Sequence, residues 1–168
     1  MFGDIRVWLP IKHHGHRIEE LYQDEVFKNI GDKKLQKEIE QICFIIRDAD
    51  KIANLHMIIN EENVRLLFLG RGTGDKYKDG QISPIVKDRA FAADATPRFA
   101  GATVGDHITG YVSWFFDVNY IYSVEYCKKL NIVSGILTMF EQYCSDDEFK
   151  RKYTEFVETY LQNHEFLR

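Results

Sequence analysis

The feature that most constrains this chain is a run from residue 33 to residue 59. In it Leu35, Ile39, Ile42, Ile46, Ala49, Ala53 and His56 recur at alternating spacings of four and three. That period puts them on one face of an α-helix, and Asp32 just ahead is a candidate N-cap. From Ile42 to Ile59 apolar residues occupy more than one face, so the pattern predicts a central helix packed on several sides. No segment has a convincing strand period. Residues 64–69 and 111–116 are strand-like in composition, but no hairpin turn signal accompanies either. The expected fold is all-α: one domain over residues 1–168, a compact, irregular helical bundle.

The rest of the chain reads as further helices. Residues 61–69 form a second candidate, ending at Gly70, and the glycine-rich stretch 70–76 breaks regular structure. It fits neither phosphate-loop pattern and reads as a surface loop. Ser83 followed by Pro84 is an N-cap with proline at the first helical position, opening a helix expected to reach about residue 93. Residues 94–104, with Pro97 and Gly101, read as a loop. A long aromatic helix is expected from about 106 to 130, with Tyr111, Trp114, Phe115, Val118 and Ile121 or Tyr122 as its apolar stripe, and shorter apolar segments span 132–143. Asp146, Asp147 and Glu148 place acids at the positive end of a last helix, along which Phe149, Tyr153, Phe156, Tyr160 and Leu161 keep helical spacing.

Composition narrows the class. Of 168 residues, 45% are hydrophobic and 14% aromatic, enough for a core and against a disordered chain. The net charge of -4 gives no electrostatic footprint for nucleic acid or an anionic membrane. No run approaches the roughly 18 to 20 apolar residues of a membrane span. The start of the chain lacks the basic end and long apolar core of a signal peptide. Cys43, Cys127 and Cys144 make no metal-ligand spacing. Their odd number and apolar settings favour a reducing compartment, so a cytoplasmic location is expected.

Two stretches carry candidate chemistry. In residues 42–55, four charges (Arg47, Asp48, Asp50 and Lys51) interrupt an apolar helix. Asp50 lies four residues from Ile46, three from Ala53 and seven from Cys43 and Met57, a phase that points it toward the buried side. A buried carboxylate must neutralise, pair or bind a metal. A structural ion pair with Arg47 or Arg17 is the plain alternative to a metal. Asp48 faces another side, where it would cap or brace a neighbouring helix. In residues 11–17, His13, His14 and His16 stand beside Lys12 and Arg17. Imidazole is a common ligand for divalent metals, and a surface turn with chance histidines is the alternative. Adjacent His13 and His14 cannot both face one point on a regular helix.

Together the two stretches resemble the HD superfamily of metal-dependent phosphohydrolases. Residues 47–55 are similar to the segment in which that family sets its final metal-ligating aspartate within Ala-Asp-Lys/Arg, and Asp50 falls on the ligand. Residues 11–17 resemble the family's Ala-Ile-x-x-His-Asn piece, with His14 on the histidine and Gly15 in place of the asparagine. Further on, residues 80–84, 106–108 and the Ser-Trp-Phe-Phe-Asp-Val-Asn run at 113–119 look like the helical C-terminal half of a bacterial HD subgroup. In all, the resemblance covers about residues 5 to 125. By this reading residues 1–69 correspond to the later part of an HD core and 70–168 to a helical extension. The family's first histidine and its His-Asp doublet have no counterpart here. Asp106-His107 is reversed, and His164-Glu165 is at the far end.

What the resemblance implies is a hydrolase acting on a phosphoester or nucleotide, with one or two divalent metals (Mn, Fe, Mg or Zn) as cofactor. Asp50 would be a metal ligand, and His14, with His13 behind it, would bind a second metal or substrate phosphate. Lys12, Arg17 and Lys51 would neutralise phosphate oxygens. The missing doublet implies that the chain alone is incomplete or inactive, needing a homo-oligomer or a partner chain to supply ligands. The rival expectation is a degenerate, non-catalytic HD-like module used in protein-protein interaction.

Overall fold

A computed structural model describes residues 3–15, 17–60, 80–93 and 103–168. The expected helix at 61–69, the loop at 70–76 and residues 94–102 of the loop expected over 94–104 fall outside these residues. Among the described residues the structure is all-α, with a single isolated bridge between Tyr120 and Leu167. No helix among them is long and apolar enough to cross a membrane. The chain divides into two compact units, Met1–Lys51 and Ile52–Arg168.

In the first unit, α1 (Ile5–His13) is capped by Asp4, whose carboxylate accepts from the Arg6 N–H. Pro10 lies inside this helix. Two short helices follow, α2 (Ile18–Gln23) and α3 (Glu25–Lys28), and then the long α4 (Lys33–Ile58), whose last seven residues belong to the second unit. Asp32 caps α4 as expected: its Oδ1 accepts from Lys34 N at 2.8 Å and Leu35 N at 3.3 Å. Leu9, Leu21, Phe27, Ile39 and Cys43 form the apolar core of this unit.

The expected apolar face of α4 is correct only in its first half. Ile39 is buried and Leu35, Ile42 and Ile46 are partly buried, but Ala49, Ala53 and His56 are exposed. The buried positions are instead Ile39, Cys43, Arg47, Asp48, Lys51, Leu55 and Ile58. Five of them, from Ile39 to Leu55, follow a strict four-residue step, which drifts around a helix of 3.6 residues per turn. Long arginine and lysine stems bury alongside apolar residues, so a stripe continued through Arg47 and Lys51 leaves the small Ala49 and Ala53 facing out. The phase assigned to Asp50 needs the same correction. Asp50 is half-buried, and Asp48 is the carboxylate taken out of water, at 2% exposure.

The second unit holds α5 (Pro84–Ala90), α6 (Val104–Ser113), a one-turn 3-10 helix (Trp114–Asp117), α7 (Ile121–Lys129), α8 (Ile132–Tyr143) and α9 (Asp147–Asn163). Ser83 is the N-cap residue of α5 and Pro84 its first residue, but the helix stops at Ala90. The helix expected over 106–130 is broken. After the 3-10 turn the chain is extended through Val118 and Tyr120. There the backbone bonds the C-terminal tail, with Ile121 N donating to Leu167 O and Leu167 N to Asn119 O, both at 2.9 Å. Those tail bonds need extended backbone groups that a continuous helix would consume internally.

Asp106 ties the N-terminus of α6 to the chain before α5. It forms a capping box with Thr103 and accepts the Ser83 N–H at 2.8 Å. Nearby, a Cβ at Gly105 would lie 2.6 Å from the Gly80 carbonyl oxygen, so no side chain fits at that crossing. The core of this unit is large and aromatic. Tyr153, fully buried, sits among the rings of Phe91, Phe116, Phe140, Phe149 and Phe156.

Candidate functional site

Every candidate residue lies in the first unit. Lys12 and His13 occupy the last turn of α1, where positive charge is favoured by the carbonyl end of the helix. His14 is the C-cap residue of α1 and Arg17 the N-cap residue of α2. Asp50 and Lys51 lie on α4.

The structure joins Lys12 and His13 through a residue the sequence reading passed over. Asp24, between α2 and α3, accepts with Oδ1 from Val26 N at 2.8 Å and Phe27 N at 3.4 Å, capping α3. Its Oδ2 accepts from Lys12 Nζ at 2.6 Å and lies 2.9 Å from His13 Nε2. Burial alone would push the Asp24 carboxyl up. Hydrogen bonds from Lys12, His13 and the two backbone N–H groups outweigh it and hold the carboxyl far below the usual carboxylate range. An ionised carboxylate only accepts, so His13 Nε2 carries the proton that faces it. His13 is 6% exposed, and its other ring nitrogen, Nδ1, is buried with no hydrogen-bond partner among the described residues.

His14 is arranged the opposite way. Its Nδ1 lies 2.5 Å from the Ile11 carbonyl oxygen, which can only accept. The proton that faces it is therefore on Nδ1. A ligating imidazole commonly has its other N–H given to a carbonyl or carboxylate in this way. The side chain of Arg17 is exposed and lies 3.7 Å from Glu19.

On α4, Arg47, Asp48 and Lys51 are all buried. Cys43, one turn before Arg47, feels both cations, but burial dominates and raises its thiol pKa. That keeps it a protonated, unreactive side chain. Cys43, Cys127 and Cys144 are all buried free thiols.

Among the described residues no three His, Cys, Asp or Glu side chains come together as a metal-binding group. His16 lies outside the described residues. A metal held by Asp50 and His14 would therefore need ligands beyond those described, since stable sites use three or more protein ligands. The residues carried by the resemblance farther along have structural positions. Asp106 is the capping-box acid described above. Asn119 Nδ2 donates to the Asp117 carbonyl at 3.3 Å where the helix breaks, and Trp114 packs edge-on to Tyr111 at 5.1 Å.

The Asp24 signal was present in the sequence as an acid directly before Glu25, Val26 and Phe27, a short helix start. Its reach back to α1 was not. No family model, no curated protein and no solved structure matches this chain.

Proposed function

We propose that this chain contributes part of an HD-type phosphohydrolase acting on a phosphoester or nucleotide, and that it is incomplete on its own. The observation that carries the reading is the Arg47, Asp48, Ala49, Asp50, Lys51 run on α4, where three charges are buried within one turn and a half of helix. Burying charge is expensive, and buried ionisable groups concentrate at functional sites. Asp50, half-buried beside them, is the ligand position. His14 Nε2, just past the end of α1, is the imidazole nitrogen that would face the metal or phosphate, and Lys12, Arg17 and Lys51 are the cations that would meet phosphate oxygens. The remaining ligands come from a partner chain or from residues beyond those described.

The test is metal content of the purified chain by mass spectrometry, with Asp50→Ala as control. Near-stoichiometric manganese, iron or zinc that disappears in the variant would mean that this chain, or copies of it, completes the site. No metal in either protein after loading would sink that form of the reading and leave Asp50 a ligand only if a different partner chain restores metal binding.

A second reading, a non-catalytic interaction module, has one observation in its favour. Val7 and Ile11, one turn apart on α1, are 55% and 52% exposed, and exposed apolar pairs of this kind mark association surfaces when they belong to a larger patch. Light scattering at low concentration tests it, and a stable monomer would count against it.

A further inference from the structure

We infer that residues 164–168 form a latch: they supply the N-terminal cap that α7 lacks, so that release of this short segment loosens α7. The inference stands apart from the phosphohydrolase reading, because every residue in it belongs to the second unit.

A helix needs acceptors for the N–H groups of its first turn. A Ser, Thr, Asp or Asn side chain at the N-cap usually supplies one. The N-cap residue of α7 is Tyr120, and its side chain makes no capping bond. The acceptor comes instead from Leu167, whose carbonyl oxygen takes the Ile121 N–H at 2.9 Å. Leu167 N in turn donates to Asn119 O at 2.9 Å. The start of α7 is thus gripped on both sides of Tyr120 by one distant residue. The local sequence offers no substitute. From Tyr111 to Leu130 there is neither a glycine to end one helix nor a proline to open the next.

The latch has a defined seat and a thin attachment. His164 stacks on Tyr160 with ring centroids 4.4 Å apart, and Phe166 meets the same ring edge-on at 6.1 Å. Tyr160 packs edge-on against Phe116 at 4.8 Å, and its hydroxyl donates to the Phe116 carbonyl at 3.3 Å. The seat is therefore fixed to the 3-10 turn that precedes the break. Within residues 164–168 only Phe166 is partly buried against the core, and the other four are exposed. A segment with so few buried contacts opens more readily than the helices of the core. The helix it caps is held from one side, by Val124 and Cys127, while Tyr122 and Tyr126 are 68% and 51% exposed.

Leu167→Pro tests the latch. It removes the N–H that bonds Asn119 and keeps the chain around it extended, since proline also favours extended backbone in the residue before it. Hydrogen exchange of the full chain is read at Val124 to Cys127. Val124 N donates to Tyr120 O, and the next three amides lie inside α7, so none depends on Leu167 directly. These four are expected to exchange about ten-fold faster in the variant, the size of effect a lost helix cap produces, with α8 and α9 unchanged. Unchanged exchange at the four amides would overturn the inference, because α7 would then hold itself. Equally faster exchange across α8 and α9 would overturn it too, because residues 164–168 would then be part of the core rather than a latch.

Phe166→Ala is the second variant. It leaves every backbone group in place and removes only the ring seated on Tyr160. The same four amides should exchange about three-fold faster, a smaller effect because the backbone bonds can still form. A change confined to residues 164–168 would overturn the inference.

Discussion

The two units of this chain are stabilised in different ways. In Ile52–Arg168 the interior is a broad apolar cluster with a run of interlocking aromatic rings, and its buried acid, Asp106, is spent on helix caps. Among the described residues of Met1–Lys51 the apolar core has five buried side chains, with Ile5, Trp8, Ile18, Ile30 and Leu35 packed against them, and it coexists with buried His13, Asp24, Arg47, Asp48 and Lys51. A unit that small gains little from more buried charge, because desolvation offsets most of the attraction within a pair. The contrast therefore separates a part of the chain built for packing from a part that tolerates expensive polar burial. All six residues carried as site candidates fall in the second kind.

The largest expected effect tests the packing side. Phe140 is fully buried among Phe149 and Tyr153. Phe140→Ala is expected to cost about 4 kcal/mol, from lost transfer energy plus a cavity. Denaturant unfolding measures the loss, and hydrogen exchange locates it. The comparison predicts that protection falls in α6, α8 and α9 more than in α1–α3. An equal fall everywhere would mean that the units do not differ in this sense.

Next is the polar side. Asp24→Ala removes a helix cap and leaves Lys12 and buried His13 without their shared acceptor, for about 3 kcal/mol at neutral pH. Its pH dependence follows from the lowered carboxyl pKa. A group whose pKa is lower folded than unfolded stabilises above its unfolded value, and the contribution disappears as pH falls toward the folded value. With an unfolded aspartate near pH 4, the gap between wild type and Asp24→Ala should be constant near neutrality and shrink below about pH 4. A gap that stays constant to pH 2 would show that the carboxylate charge is not the stabilising element.

These residues also show what the sequence made legible. Asp32 and the Ser83-Pro84 start were readable because N-cap and proline placement are local. The helical character of 33–58 was readable because its period is long. The phase of its second half was not, because Arg47 and Lys51 count as polar in any pattern, although their stems bury. The break at residues 118–120 was invisible because it is set by backbone bonds to Leu167, nearly fifty residues away. Asp24 was missed for a similar reason: its cap is local, and its partners on α1 are not. For the candidate site, Lys12, His13, His14, Asp50 and Lys51 were named by residue type and setting, but which imidazole nitrogen meets an acceptor depends on contacts that only the fold supplies.

A smaller effect sharpens the reading of α4. Asp48 is buried and Asp50 is half-buried, two residues apart. Asp48→Ala should cost about 2 kcal/mol more than Asp50→Ala, since Asp48 is the more deeply buried carboxylate and its surroundings are the less able to be resolvated. Thermal unfolding of the two variants decides it. If Asp50→Ala is the more damaging, Asp50 is a structural ion-pair member and the ligand assignment loses its basis.

The smallest expected effect runs in the opposite direction. Tyr153 is fully buried at the centre of the aromatic cluster, and its hydroxyl has no hydrogen-bond partner among the described residues. Burial pushes its pKa up, as expected for a phenol with no charge to favour ionisation. An unsatisfied buried hydroxyl carries its full desolvation penalty, while the ring supplies the packing. Tyr153→Phe keeps the ring stacked on Phe149, 5.4 Å away, and removes only the penalty. It should raise stability by about 1 kcal/mol, read as a higher denaturation midpoint with an unchanged slope. Destabilisation instead would mean that the hydroxyl is satisfied by a group beyond the described residues. The packing unit would then hold a buried polar link of its own, and the contrast with Met1–Lys51 would narrow to one of degree.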